Sequence, residues 1–143
     1  MAVVLVINDD RDLLETYRDV IRQMGHEAVA KLSSESGSET VRETQAEALV
    51  VDLERPEETD FGLRVVEQVR ADPELRALPI IVCTAAAEPH LRPVRGRLNE
   101  LGVPVLPKPF NLEEFEAALD ELLMGPGAES TDRPGSAGAR LAR

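Results

Sequence analysis

Four short apolar runs in this chain each stop at a side chain with chemistry to offer. Ala48, Leu49, Val50 and Val51 lead to Asp52. Residues 3–7 lead to Asn8, Asp9 and Asp10, residues 79–83 to Thr84, and residues 103–106 toward Lys108. Uncharged runs of this length, rich in Val, Leu and Ile, fit strands buried on both faces. Laid parallel, they would collect acids, a hydroxyl and an amine at one sheet edge. That edge is where open α/β folds place their chemistry.

The segments between the runs have helical periodicity. Over 10–24, Leu13, Leu14, Tyr17, Val20, Ile21 and Met24 recur at spacings of three and four, and Gly25 follows as a stop. A second strand is expected over 27–31. A weak helix should follow, with Ser36 and Glu39 as its capping box and its end near Thr44. Residues 54–60 read as an exposed loop, 61–71 as a helix, and Asp72-Pro73 as its end. Residues 88–93 read as a loop and 94–101 as a short helix closed by Gly102. Asn111 is placed to cap a last helix, with Glu113 and Glu114 in its first turn. Strand and helix thus alternate five times, which predicts a parallel sheet with helices on both faces. From Gly125 the chain turns rich in Gly, Pro, Ala, Ser and Arg, so residues 1–124 are expected to form one domain and 125–143 a disordered tail.

Charge narrows the function classes. The formal net charge is -11, which argues against a nucleic-acid partner. No window approaches the apolar length of a membrane helix, and no basic region precedes a long apolar stretch near residue 1, so a cytoplasmic protein is expected. The lone cysteine, Cys83, sits in an apolar run and reads as an inert core residue. His26 and His90 have no metal-ligating neighbours in sequence and read as surface residues. Arg92, Arg95 and Arg97 read as a solvated helix face.

Asp9, Asp10 and Asp52 offer hard oxygen ligands of the kind that suit Mg2+. Asp9 and Asp10 also suit the start of a helix, and the two roles are compatible. A carboxylate beside a cation, a hydroxyl and an amine is the equipment for forming an acyl phosphate on aspartate.

Four pieces carry a resemblance: Val-Leu-Val-Ile-Asn-Asp-Asp at 4–10, Leu-Val-Val-Asp-Leu-Glu-Arg-Pro at 49–56, Leu-Pro-Ile-Ile-Val-Cys-Thr-Ala at 78–85, and Pro-Lys-Pro-Phe at 107–110. In that order, on strands one, three, four and five, they resemble the receiver domain of bacterial two-component response regulators over roughly residues 2–124. The resemblance implies a flavodoxin-like sheet of order 2-1-3-4-5. It implies Asp52 as the phosphoacceptor, Thr84 and Lys108 as its phosphoryl-binding partners, and Mg2+ held by Asp9, Asp52, the Glu54 backbone carbonyl and, through water, Asn8. A histidine kinase or phosphotransfer protein would donate the phosphoryl group. Output would be a contact with another protein, or a homodimer, on the face of the fourth helix, fifth strand and last helix. Such a chain is a switch rather than an enzyme. Glu54 and Ala86 would border the path of the hydrolytic water.

Two positions depart from the family. Asn8 stands where the first of two acids is expected; it keeps an oxygen but drops a charge, which predicts weaker Mg2+ binding. Val105 stands where an aromatic ring commonly swings inward. Both also fit a pseudo-receiver, a binding module independent of phosphate. A haloacid-dehalogenase-type hydrolase fits less well, because Asn8-Asp9-Asp10 is not its Asp-x-Asp pattern. A flavodoxin fits less well still, because the turn after strand one is acidic.

Overall fold

The computed structural model describes residues 2–32, 37–53, 61–85, 88–108 and 110–132. Five strands, β1 (Val3–Asn8), β2 (Glu27–Leu32), β3 (Ala48–Asp52), β4 (Ile80–Thr84) and β5 (Val105–Pro107), form one sheet of order β2-β1-β3-β4-β5. Every pairing is parallel. The helices between them are α1 (Arg11–Gln23), α2 (Ser38–Thr44), α3 (Phe61–Ala71), α4 (Glu88–Glu100) and α5 (Leu112–Asp132). This is the parallel sheet expected from the alternation of runs, in the flavodoxin-like order that the resemblance implied.

Strand alternation sorts the core into two layers. Leu5, Ile7, Leu49, Val51, Ile80 and Val82 pack with Val41, Phe61, Val65, Val66, Val69, Leu91 and Leu98, the buried face of α2, α3 and α4. Val4, Val6, Ala48, Val50, Ile81 and Cys83 pack with Leu14, Tyr17, Val20, Ile21, Phe115 and Leu119 of α1 and α5. All five residues of β3 and of β4 are buried, as both-face coverage requires.

The helix ends follow local chemistry. Asp10 caps α1, its Oδ1 accepting from the Asp12 and Leu13 amides at 2.9 and 3.2 Å. Gly25, at φ 92°, closes α1, with the His26 amide donating to the Ile21 carbonyl at 3.1 Å. Asn111 and Glu114 form a reciprocal capping box on α5, with bonds of 2.8 and 2.9 Å.

Several expectations are corrected. Residues 88–93, expected as a loop, are helical. Pro89 sits in the first turn, where its missing donor is not needed, and Leu91, Val94 and Leu98 form a stripe that draws the turn onto the sheet. Strand five begins at Val105 rather than 103. The Val103 amide is spent on the Leu98 carbonyl at 3.0 Å, closing α4 beside Gly102 at φ 72°. The N-cap of α2 falls on Gly37, whose amide donates to Thr40 Oγ1 at 3.4 Å; Ser36 lies outside the described residues. The last helix passes Met124 and reaches Asp132. The upstream turns already nucleate it, and extension over a weak Gly-Pro-Gly segment is then easier than starting anew. His26 is half-buried, not a surface residue, and its Nδ1 accepts from the Ala2 amide at 3.0 Å. No helix among the described residues is long and apolar enough to cross a membrane.

Arg70 ties α3 to its neighbours. Its Nε donates to the Leu101 carbonyl at 2.8 Å, and its Nη1 to the carbonyls of Leu78 at 2.7 Å and Arg76 at 3.1 Å. These carbonyls cap the end of α4 and the approach to β4. Arg70→Met keeps the stem and removes the donors. It is expected to lower stability by about 1–3 kcal/mol, read as a shift in urea midpoint with the slope unchanged.

Candidate functional site

The register aligns four strand ends. Ile7 lies beside Val51, so Asn8 and Asp52 end adjacent strands with their side chains on the same face. Asp52 pairs across with Cys83, and Thr84 with Pro107, one residue before Lys108. The ladder continues past the strands. The Leu53 amide donates to the Cys83 carbonyl at 2.8 Å, and the Lys108 amide to the Thr84 carbonyl at 2.7 Å.

Asp52 is 7% exposed at the end of a fully buried strand. Lys108 Nζ sits 3.0 Å from its Oδ1 and 3.1 Å from its Oδ2, bridging both oxygens. A buried carboxylate needs such a partner, because leaving either charge alone in the interior is strongly unfavourable. Residues 56 positions apart in sequence thus meet through sheet register alone. Thr84 is buried on the same edge, at 1% exposure.

Asp9 is exposed at the end of β1. Asp10, also exposed, spends its Oδ1 on the cap of α1 and is committed to the helix. Asn8 is 1% exposed. Its Oδ1 accepts from the Asp10 amide at 2.9 Å, while its Nδ2 is buried with no partner. Glu54 and Ala86 lie outside the described residues. Among the described residues, no three His, Cys, Asp or Glu side chains converge as a metal-holding group. Two carboxylates, Asp9 and Asp52, suit a hard cation that keeps several waters. The orphaned amide of Asn8 is a donor, which no cation satisfies.

Three further residues shape the site. Gly62 opens α3 with its amide donating to the Leu53 carbonyl at 2.8 Å. A Cβ there would lie 2.5 Å from the Asp52 carbonyl oxygen and 2.6 Å from Leu53 Cα. Only glycine lets the helix approach the strand end so closely. Tyr17 is buried against Phe115 and Phe110, with ring centroids 5.0 and 6.4 Å away, and its hydroxyl borders the Cys83 thiol. Burial, then the thiol, then the charge of Asp52 push the hydroxyl far above its usual value. The Cys83 thiol is pushed up to about 12, by burial first and the Asp52 charge second. A thiol so held is not a nucleophile. In sequence the pair was visible only as a tyrosine on the apolar stripe of α1 and a core cysteine, with nothing to join them. Val105 is half-buried on β5, opposite Val82, and packs into the α3–α4 layer.

A sequence profile described as the response regulator receiver domain matches residues 4–120. The chain is 30% identical over 84 residues to the polar-differentiation response regulator DivK of Brucella ovis, an overlap of 59% of this chain and 67% of that protein. The non-phosphorylated HemR receiver domain from Leptospira biflexa superposes with a TM-score of 0.72 at 28% identity, covering 88% of this chain and 97% of that one. The chemotaxis response regulator CheY4 of Vibrio cholerae superposes at 0.69 over 86% of this chain and 99% of its own, and at 24% identity that likeness speaks for the fold alone.

Two outcomes follow from the packing. Gly62→Ala is expected to lower stability by about 1–3 kcal/mol, because the methyl meets backbone that cannot move aside; urea unfolding measures it. The second concerns alkaline pH. Cys83 holds its proton to higher pH when folded than its ordinary 9.0. The unfolded chain therefore loses its proton first as pH rises. The stability from the buried neutral thiol is complete below about 9 and drains away toward 12. Unfolding curves at pH 7, 9 and 10.5 should show this decline, and Cys83→Val should flatten it, by at most about 1.4 kcal/mol per pH unit.

Proposed function

The chain belongs to the response regulator receiver family of two-component signalling, and on that premise we propose that it is a phosphoacceptor switch with Asp52 as acceptor. The observation that carries this reading is the Lys108 ammonium bridging both oxygens of Asp52 at a strand edge. An Asp52 oxygen attacks the phosphorus of a phosphohistidine on a kinase or phosphotransfer protein. The new O–P bond forms as the P–N bond breaks, and the released imidazole keeps the electron pair and takes a proton. Lys108 moves from the carboxylate to the incoming phosphoryl oxygens, and the Thr84 hydroxyl donates to another. Receiver domains generally bind Mg2+ at this acidic site. Here Asp9, Asp52 and the Glu54 carbonyl would hold it, with Asn8 Oδ1 accepting from a bound water through its second lone pair; when present, it neutralises phosphoryl charge.

The chain is a signalling module rather than an enzyme with its own substrate. Its output is a protein contact, from a cytoplasmic location, on the face formed by α4, β5 and α5 or through a homodimer on that face. Leu112, a large apolar side chain left exposed where α5 begins, supports a contact there. Asn8 and Val105 favour a second reading, a pseudo-receiver that binds its partner without phosphate.

Intact mass after incubation with acetyl phosphate and Mg2+ separates the two. The switch predicts a single phosphoryl adduct on the parent and none on Asp52→Asn. Lys108→Met should slow adduct formation by roughly 10²-fold, the scale of one preorganised donor. A folded parent that takes no adduct, with partner affinity unchanged by Asp52→Asn, would establish the pseudo-receiver.

A further inference from the structure

We infer that Asn8 is a direct hydrogen-bond donor to the phosphoryl group on Asp52, so that this site holds its anion with an amide where two-acid receivers place a second carboxylate; the inference rests on the switch reading above. Three observations carry it. The orientation of the Asn8 amide is forced. The atom 2.9 Å from the Asp10 N–H must be the oxygen, since a donor cannot face a donor. The remaining atom, Nδ2, is therefore an N–H2 group, buried and without a partner. Finally, Asn8 stands beside Asp52 on the neighbouring strand, with both side chains on the α1 and α5 face of the sheet.

Buried donors are rarely left unpaired, and each unpaired one in a native structure needs an explanation. In the unmodified chain the Asp52 oxygens are taken by Lys108. Phosphorylation adds three acceptor oxygens to Asp52, one strand spacing of about 4.8 Å from Asn8. An amide there meets a phosphoryl oxygen as donor to acceptor. A carboxylate at the same position would repel that oxygen and need a cation between them. Asn8 thus shifts part of the work of anion binding from the cation to the protein.

The test uses the full 15N-labelled chain and beryllofluoride, a phosphoryl mimic. The two Asn8 Nδ2 protons are assigned by their loss in Asn8→Asp. Mg2+ alone sets their reference positions. Mg2+ with beryllofluoride should move one of them downfield and slow its exchange with water. At saturating Mg2+, Asn8→Ala should bind beryllofluoride at least about tenfold more weakly, the scale of one hydrogen bond to a charged group. Asn8→Asp should bind Mg2+ more tightly. If beryllofluoride shifts the backbone amides of Asp52 and Thr84 while the Asn8 pair stays unmoved, the inference falls and the receiver reading stands. If nothing shifts in a folded parent, both fall.

Discussion

Burial of β3 on both faces is the constraint from which the rest of the molecule follows. A strand covered by α3 and α4 on one side and by α1 and α5 on the other has no place for a charge along its length. The first carboxylate must wait until the strand clears the layers, and Asp52 stands at that point. The parallel register then does for the other strands what burial does for this one. β1 and β4 are apolar while covered and polar where they emerge, and because all the strands point the same way, these polar ends share one edge with Asp52. The ion pair between Lys108 and Asp52 is the result of that geometry. It also stabilises it, since a carboxylate at 7% exposure without its ammonium would push the strand end outward.

The same packing ties the site to one helical layer more tightly than to the other. Asn8, Asp52 and Cys83 belong to the strand faces that meet α1 and α5. Beneath them Tyr17, Phe110 and Phe115 form a small aromatic cluster, with the Tyr17 hydroxyl against the Cys83 thiol. The charge of Asp52 is felt at both groups. On the opposite face Gly62 presses the start of α3 against the backbone of Asp52 and Leu53. Asp52 thus stands between the start of α3, pressed against its backbone on one side, and the Tyr17–Cys83 pair on the other.

Much of this was legible in the residues. The apolar runs over 48–52 and 61–71 have the bounds of β3 and α3, because turn residues and charges mark them cleanly. The glycines at 25 and 102 closed α1 and α4 where a left-handed residue is needed. What could not be read had physical causes. The first turn of α4 was hidden by Pro89 and Pro93, whose effect on a helix depends on position, and by Leu91, whose burial depends on the sheet. Val103 looked like strand, but its amide closes a helix, a choice that only the neighbouring chain decides. Gly62 carried no signal, since close approach to Asp52 belongs to two segments at once. That Asn8 keeps an oxygen was plain from its formula; which atom faces the interior depended on the Asp10 amide.

That last point has the widest consequence for the chemistry. Exchanging a carboxylate for an amide is usually counted as the loss of a charge, and a loss of charge at a cation site reads as weakening. The exchange also changes the direction of hydrogen bonding. A carboxylate only accepts, so it can serve an anion only through a metal or a proton between them. An amide accepts with one end and donates with the other. At Asn8 the accepting end is turned to the start of α1 and helps hold the turn between β1 and the helix. The donating end is left in the interior at the end of β1, beside the strand that ends in Asp52. The residue is therefore suited to two tasks that one carboxylate could not perform together: holding the β1–α1 turn and offering a hydrogen to whatever anion Asp52 comes to carry.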